Sequence, residues 1–211
     1  MDDSRLTALR EKMRREGMDA YIVPTADFHE SEYVGAYFKA RAYLTGFTGS
    51  AGICAVTMQD AGLWTDGRYF IQAASQLQGS GVRLMKSREP GVPTLEEFLL
   101  EALPEGGCVG FDGRVINTAM ARSLQKALAS KHICFAAQCD LVGEIWTDRP
   151  ALSAQPAFRL TMEQAGCSTV DKVAGLRRDM EELGADVALL PALDDIAWLL
   201  NLRGGDISRT P

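Results

Sequence analysis

The segment LREKMRREGMDAYIVPTAD (residues 9–27) returns as LRRDMEELGADVALLPALD (residues 176–194) at a constant offset of 167 positions, without a gap. Seven of the nineteen positions are identical: Leu9, Arg10, Met13, Gly17, Asp19, Pro24 and Asp27 recur as Leu176, Arg177, Met180, Gly184, Asp186, Pro191 and Asp194. In each copy an amphipathic helical pattern is followed by a glycine stop and a short apolar run closed by proline, which reads as helix, turn, buried strand. A repeated helix–strand unit of this kind points to two related α/β domains. The second copy runs on into WLLNLRGG (198–205), which matches YLTGFTGS (43–50) once the insertion DFHESEYVGAYFKARA (27–42) of the first copy is skipped.

Helical and extended patterns alternate along the rest of the chain. Ser4 is placed to cap a helix whose stripe is Leu6, Leu9 and Met13, and Gly17 stops it. Asp19–Pro24, Ile53–Met58, Leu63–Asp66, Val82–Lys86, Cys108–Asp112 and His132–Ala136 read as strands. Arg68–Leu77, Pro93–Leu103 and Asn117–Ala129 read as helices, and Leu141–Trp146 as a short helix or turn. Thr94 with Glu97 three residues later is a capping box. The expected fold is α/β, a mixed sheet flanked by helices, followed by the start of a second related α/β domain. TDRPALSAQPAFRL (147–160) has two prolines and no period, as a linker would. The expected organisation is therefore a first domain over 1–146, a linker over 147–167 and an incomplete second domain over 168–211. One helix, one strand and a second helical segment cannot pair a sheet edge or cover an apolar face alone. The chain is thus expected to be the amino-terminal piece of a longer protein.

Among 211 residues, 46% are hydrophobic and 24% charged, an ordinary soluble composition. The formal net charge of −6 and the lack of a Lys/Arg block argue against a generic nucleic-acid binder. No apolar run approaches the ~18 residues of a membrane span, and the charged start MDDSRLTALREKMRREG does not read as a secretory signal. The five cysteines form no C-x-x-C pair, and four lie in or beside apolar runs. They read as buried, reduced thiols in a cytoplasmic protein.

Residues 46–74, GFTGSAGICAVTMQDAGLWTDGRYFIQAA, place Gly46, Gly49 and Gly52 at a density that suggests a phosphate loop. The pattern excludes one: no lysine follows, and an extended segment rather than a helix comes after Gly52. The glycines read instead as a tight helix-to-strand turn that uses positive φ. Ser50 lies in G-x-x-G-S rather than G-x-S-x-G and has no assignable histidine partner. Cys54, inside an apolar strand, is expected to have a raised pKa and low reactivity. HESE (29–32) carries metal-capable side chains without ligand spacing, and reads as a solvated loop. His132 reads as structural, Trp64 and Trp146 as core anchors with an interface role possible, and Arg203 and Asp194 as structural or interdomain residues.

Five stretches, in order, carry a family resemblance: DAYIVPTADFHESEYVGAY (19–37), LTGFTGSAG (44–52), LWTDGRYFIQAASQL (63–77), EIWTDRP (144–150) and LDDIAWLLNLRGGDI (193–207). Together they resemble the amino-terminal region of cytosolic-type Xaa-Pro aminopeptidases (aminopeptidase P), relatives of prolidase and creatinase, over nearly the whole chain. The resemblance implies two related non-catalytic domains ahead of a catalytic domain with two metal ions, usually manganese, held by two Asp, one His and two Glu. Such a pair activates a bridging water and stabilises the charge that develops on the scissile carbonyl. The implied reaction removes the N-terminal residue of a peptide whose second residue is proline. No catalytic residue and no metal ligand transfers to this chain, which is expected to be inactive alone; the two manganese ions belong to the absent catalytic domain. Its implied partners are proline-containing peptides, its own catalytic domain and a second subunit in a homodimer, and its implied roles are substrate gating and assembly. Arg68 offers a fork to a substrate carboxylate or, alternatively, pairs with Asp66. Tyr69, His29, Glu30, Glu32 and Tyr33 are further candidate substrate contacts, for which a solvated-loop reading also stands. A prolidase or creatinase relative, and a free-standing binding or assembly module, are the alternatives.

Overall fold

The computed structural model describes residues 4–206; residues 1–3 and 207–211, including Ile207 of the last resembling stretch, lie outside the described residues. The chain divides into two compact units, Met1–Ala151 and Leu152–Pro211.

The first unit is built on six strands: β1 (Ala20–Pro24), β2 (Ile53–Thr57), β3 (Ala61–Thr65), β4 (Arg83–Lys86), β5 (Cys108–Phe111) and β6 (Cys134–Ala136). They lie in the order β4-β3-β2-β1-β5-β6. β1 pairs antiparallel with β2, Ile22 opposite Ala55, and parallel with β5, Tyr21 opposite Gly110. β2 and β3 are antiparallel, while β3–β4 and β5–β6 are parallel, so the sheet is mixed as expected. Its helices are α1 (Ser4–Arg15), α2 (Ala40–Thr45), α3 (Phe70–Gln76), α4 (Leu95–Ala102), α5 (Thr118–Ala127) and α6 (Leu141–Ile145).

All five residues of β1 are buried because both faces of the sheet are covered. Tyr21 and Val23 pack with Leu6, Leu9 and Met13 of α1, Leu44 of α2, Ala73 of α3 and Leu141 of α6. Ala20 and Ile22 pack on the other face with Phe98 and Leu99 of α4 and Leu124 of α5. The capping box is formed: Thr94 Oγ1 accepts from Glu97 N at 3.2 Å, and Glu97 Oε2 accepts from Thr94 N at 2.8 Å. Asn117 caps α5, its Oδ1 accepting from Met120 N at 2.7 Å. The two sheet edges are guarded differently. Arg83 and Lys86 put exposed charge on β4, and β6 is only three residues long.

The second unit contains α7 (Met162–Ala165), α8 (Thr169–Leu183), α9 (Leu193–Leu200), and the antiparallel pair β7 (Phe158–Arg159) and β8 (Leu202–Arg203). Residues 158–165, inside the stretch read as a linker, therefore carry a strand and a helical turn. Lys172 of α8 is buried, and its Nζ donates to Trp198 O at 2.8 Å and Asn201 Oδ1 at 2.6 Å. This ammonium ties α8 to the end of α9. The internal repeat is exact at the helix ends. Met18 N donates to Met13 O, and Ala185 N to Met180 O, each at 2.8 Å, with Gly17 and Gly184 both left-handed at φ +68° and +64°. It fails at the strand: Asp186–Pro191, expected to be extended like β1, is not a strand. Val187 and Leu189 are 82% and 88% exposed. β1 has hydrogen-bonding neighbours on both sides, whereas the described strands of this unit pair only with each other.

Phe98, edge-on to Trp64 at 5.2 Å between ring centroids, is a large buried group under the sheet. Phe98→Ala is expected to destabilise the first unit by about 3–5 kcal/mol, read from urea unfolding followed by tryptophan fluorescence. A loss under about 1 kcal/mol would show that this face is not closely packed.

Candidate functional site

Five strands of the sheet run in one direction and β2 in the other, so the C-terminal ends of β1, β3, β4, β5 and β6 share an edge with the start of β2. In open α/β sheets that edge is where ligands bind. Here it gathers the loops that begin at residues 25, 46, 66 and 112. They enclose an open groove of about 330 Å³ walled by Thr25, Glu30, Glu32, Ser50, Gly52, Arg68 and Asn117. A neighbouring depression of about 290 Å³ is walled by Asp27, His29, Arg114 and Asn117.

The glycine loop of this edge is organised by Arg41, a residue of α2 that is 3% exposed. Its Nε donates to Thr25 Oγ1 at 3.0 Å, its Nη1 to Phe47 O at 2.5 Å, and its Nη2 to Gly49 O. The guanidinium also lies 4.6 Å from the Phe47 ring centroid. Burial lowers its pKa to about 10, and carbonyl and hydroxyl oxygens supply the hydrogen bonding. Positive φ explains only Gly46, the left-handed cap of α2 at φ +75°. Gly49 is there for space: a Cβ would lie 2.3 Å from the Phe47 ring. Gly52 would place one 3.1 Å from Trp64 O.

Two Asp-Gly-Arg turns leave parallel strands at this edge, one after β3 and one after β5. Arg68 N and Nε reach Asp66 Oδ1 at 3.0 and 2.9 Å, and Nη2 reaches Oδ2 at 2.8 Å. Arg114 makes the same three bonds to Asp112 at the same three distances. The fork of Arg68 therefore closes on Asp66, the second of the two pairings expected for it. That hydrogen bond brings the Asp66 carboxyl down to about 2 and pushes the Arg68 guanidinium up. Arg114 also reaches Asp140 Oδ2 at 3.1 Å, and Arg149 meets the same oxygen at 2.5 Å. Asp140 in turn caps α6 through Gly143 N at 2.8 Å.

Of the sequence-derived candidates, Arg68, Glu30 and Glu32 wall the groove, and His29 walls the depression beside it. Tyr69 lies behind the wall, its hydroxyl 2.8 Å from Ser50 Oγ. Tyr33 is exposed and stands outside the walls of both. Glu30 adopts a left-handed φ of +57°, and its carboxylate accepts from Asn117 Nδ2. The loop turns on buried Asp27, whose Oδ1 accepts from His29 N at 2.8 Å and Ser31 N at 3.0 Å. Burial opposes the charge of Asp27, but these N–H groups outweigh it and hold the carboxyl below its ordinary value. Sequence reasoning missed Arg41, Arg114 and Asn117. The tripeptide shared by TDGRY and FDGRV was a usable signal for Arg114; nothing local marks Arg41.

The expectation of buried thiols holds for Cys54, whose pKa burial raises to about 12, and fails for Cys134, which is exposed. Cys134 sits on the outermost strand, where no neighbour covers it. Trp64 is buried and donates to Pro93 O at 2.8 Å. Trp146 is only half-buried, stacked on Tyr43 at 4.6 Å between centroids. His132 is exposed, 3.7 Å from Glu105. Among the described residues no group of three or more His, Cys, Asp or Glu is placed to hold a metal ion, so these side chains do not fit a two-metal centre. No described helix is long and apolar enough to cross a membrane.

The family model of the creatinase/prolidase N-terminal domain matches residues 5–147, and a second model of the same description matches residues 148–211. Aminopeptidase P2 of Arabidopsis thaliana is 39% identical over 99% of this chain and 30% of its own length. A probable Xaa-Pro aminopeptidase P of Talaromyces marneffei is 41% identical over 98% of this chain and 32% of its own. The chain thus spans about a third of the length of these curated relatives. Among solved structures, the X-prolyl aminopeptidase of Caenorhabditis elegans, described as a cytosolic enzyme with a di-nuclear active site, matches with a TM-score of 0.86 and 36% identity. That match covers 98% of this chain and 36% of the other. The N-terminal domain of the cytoplasmic peptidase PepQ of Mycobacterium tuberculosis matches at TM-score 0.50 and 28% identity, over 68% of this chain and 99% of that one.

Arg41→Met leaves two buried carbonyls without a donor, at roughly 1–3 kcal/mol each, so unfolding in urea is expected to show a loss of about 3 kcal/mol. Arg41→Lys should not rescue it, since an ammonium lacks the planar fork; a lysine variant as stable as the parent would contradict this role. For Asp66 the folded pKa lies below the ordinary 3.8. The ion pair is therefore complete above that value and is lost as pH falls through about 2. Carboxyl-carbon NMR should give a midpoint near 2 that returns toward 3.8 in Arg68→Ala. An unshifted midpoint in the parent would mean that the pair does not form in solution.

Proposed function

The chain belongs to the creatinase/prolidase N-terminal domain family, and on that premise we propose that it is the non-catalytic amino-terminal region of a metal-dependent Xaa-Pro aminopeptidase. The observation that carries this reading is its breadth: the likeness to the Caenorhabditis elegans enzyme extends over 98% of the chain at a TM-score of 0.86. In this reading the parent enzyme removes the N-terminal residue of peptides whose second residue is proline. It works in the cytoplasm as a homodimer, and its two manganese ions bind outside these 211 residues. The first domain and the start of a second remain as read from the sequence, with the strand and helical turn at 158–165 counted in the second domain rather than in a linker.

The contribution of this chain is to gate substrate at the groove. Glu30 and Glu32 supply negative charge suited to a peptide ammonium, and Arg68 supplies the N–H groups that Asp66 leaves over. Tyr69 positions the wall through Ser50, His29 lines the depression beside it, and Tyr33 is exposed just beyond Glu32 in the chain. In this reading the wall admits and orients the peptide, and the chemistry takes place outside it.

The purified chain is expected to leave an X-Pro peptide intact in the presence of manganese. Hydrolysis that stays with the chain after contaminating peptidases are removed would overturn the non-catalytic reading. In the parent enzyme, Arg68→Ala is expected to raise KM for X-Pro peptides several-fold at unchanged kcat, the mark of lost binding rather than lost chemistry. Unchanged KM across peptide lengths would remove the gating role.

A further inference from the structure

Cys108 and Cys134 lie directly opposite each other on the neighbouring parallel strands β5 and β6. Adjacent strands are about 4.8 Å apart, inside the Cα separation of about 4.4–6.8 Å that a disulfide spans. Direct partners point to the same face of a sheet, and here the two Sγ atoms are 2.8 Å apart. Closing that gap to a bond of about 2.05 Å needs a movement of less than about 1 Å. Cys134 is exposed on the edge strand, and Cys108 is half-buried behind it. We propose that these two thiols are a reversible disulfide-forming pair, a modification site whose co-substrate is a small-molecule disulfide of the glutathione type.

The step balances without any other reactant. The Cys134 thiolate attacks the small disulfide, whose S–S bond breaks to release one thiolate and leave a mixed disulfide on Cys134. The Cys108 thiolate then attacks the Cys134 sulfur and expels the second small thiolate. Overall the two cysteines lose two protons and two electrons, and one small disulfide becomes two thiols. The order follows from the surroundings. Cys134 is exposed on the edge strand and Cys108 half-buried behind it, so a small disulfide reaches Cys134 first; burial, then Cys134 itself and the carboxylate of Asp19, raise the Cys108 thiol. Once Cys134 is in the mixed disulfide it no longer carries the charge that opposes ionisation of Cys108. In a reducing compartment such a bond is transient.

The bond would close a ring around the crossover from β5 through α5 to β6. That crossover carries Arg114 and Asn117 to the groove edge, so oxidation would tether the segment that forms one wall.

The test is incubation of the full chain with glutathione disulfide, followed by alkylation, intact mass and peptide mapping. The expected product has lost two hydrogens, carries a peptide that links Cys108 to Cys134, and returns to the parent mass with dithiothreitol. Cys108→Ser should stop at a stable glutathione adduct on Cys134, and Cys134→Ser should leave Cys108 unmodified. The proposal is overturned if the parent chain stays unreacted, stops at the adduct on Cys134, or links Cys134 to a second molecule. The mass and peptide map of the parent chain decide this, whatever the folding of the variants, and an internal link between any other pair of cysteines also overturns it.

Discussion

Arg41 keeps a guanidinium out of water with two main-chain carbonyls and one hydroxyl as its hydrogen-bond acceptors. Removing such an ion from water costs several kcal/mol, which only well-aimed acceptors repay. The acceptors are carbonyls of the glycine loop, so the loop must fold back around the start of α2. That return needs the left-handed turn at Gly46 and the missing side chain at Gly49. Buried charge and loop conformation thus determine each other. The loop then sets Ser50 against Tyr69, next to the turn that holds Arg68. A single helix residue therefore reaches the groove wall through main-chain carbonyls.

The paired Asp-Gly-Arg turns explain why the groove is polar without being an anion trap. An arginine poised for a carboxylate or phosphate would leave its fork open. Here both forks are already closed on the aspartate two residues earlier, with matching geometry. Each ion pair is partly exposed and adds little to stability, but each holds its turn in one shape. With Glu30 and Glu32 nearby, the walls are of mixed sign and leave no arginine fork open to a free anion.

The residues that declared themselves in the sequence are those whose role is local. The capping box at Thr94 and Glu97 and the glycine stop of α1 follow from neighbours within four positions. The six strands of the first unit show in the sequence as apolar runs, to within two residues at their ends, though it is their pairing with distant strands that makes them strands. The groove was legible only in part. Arg68, Glu30, Glu32 and His29 were found because they sit in unusual loop clusters. Arg41 was not, because its reason lies in carbonyls six and eight positions on, and Asn117 was not, because its partner Glu30 is 87 positions away. Cys134 was misjudged because an apolar run says nothing about which strand ends up outermost.

The repeat separates local from non-local causes within one molecule. Gly17 and Gly184 cap their helices with equivalent hydrogen bonds, because a C-cap needs only its own last turn. The runs that follow diverge. Ala20–Pro24 is the buried centre of a sheet, while Val187 and Leu189, at the positions of Ala20 and Ile22, stand exposed outside any strand. Their apolar character is no less, so pattern alone does not make a strand. What differs is the presence of β2 and β5 to satisfy the main chain on both sides. The same dependence governs the site. A groove at a strand-end edge requires a central strand with neighbours whose loops meet above it. Among the described residues, only the first unit supplies them.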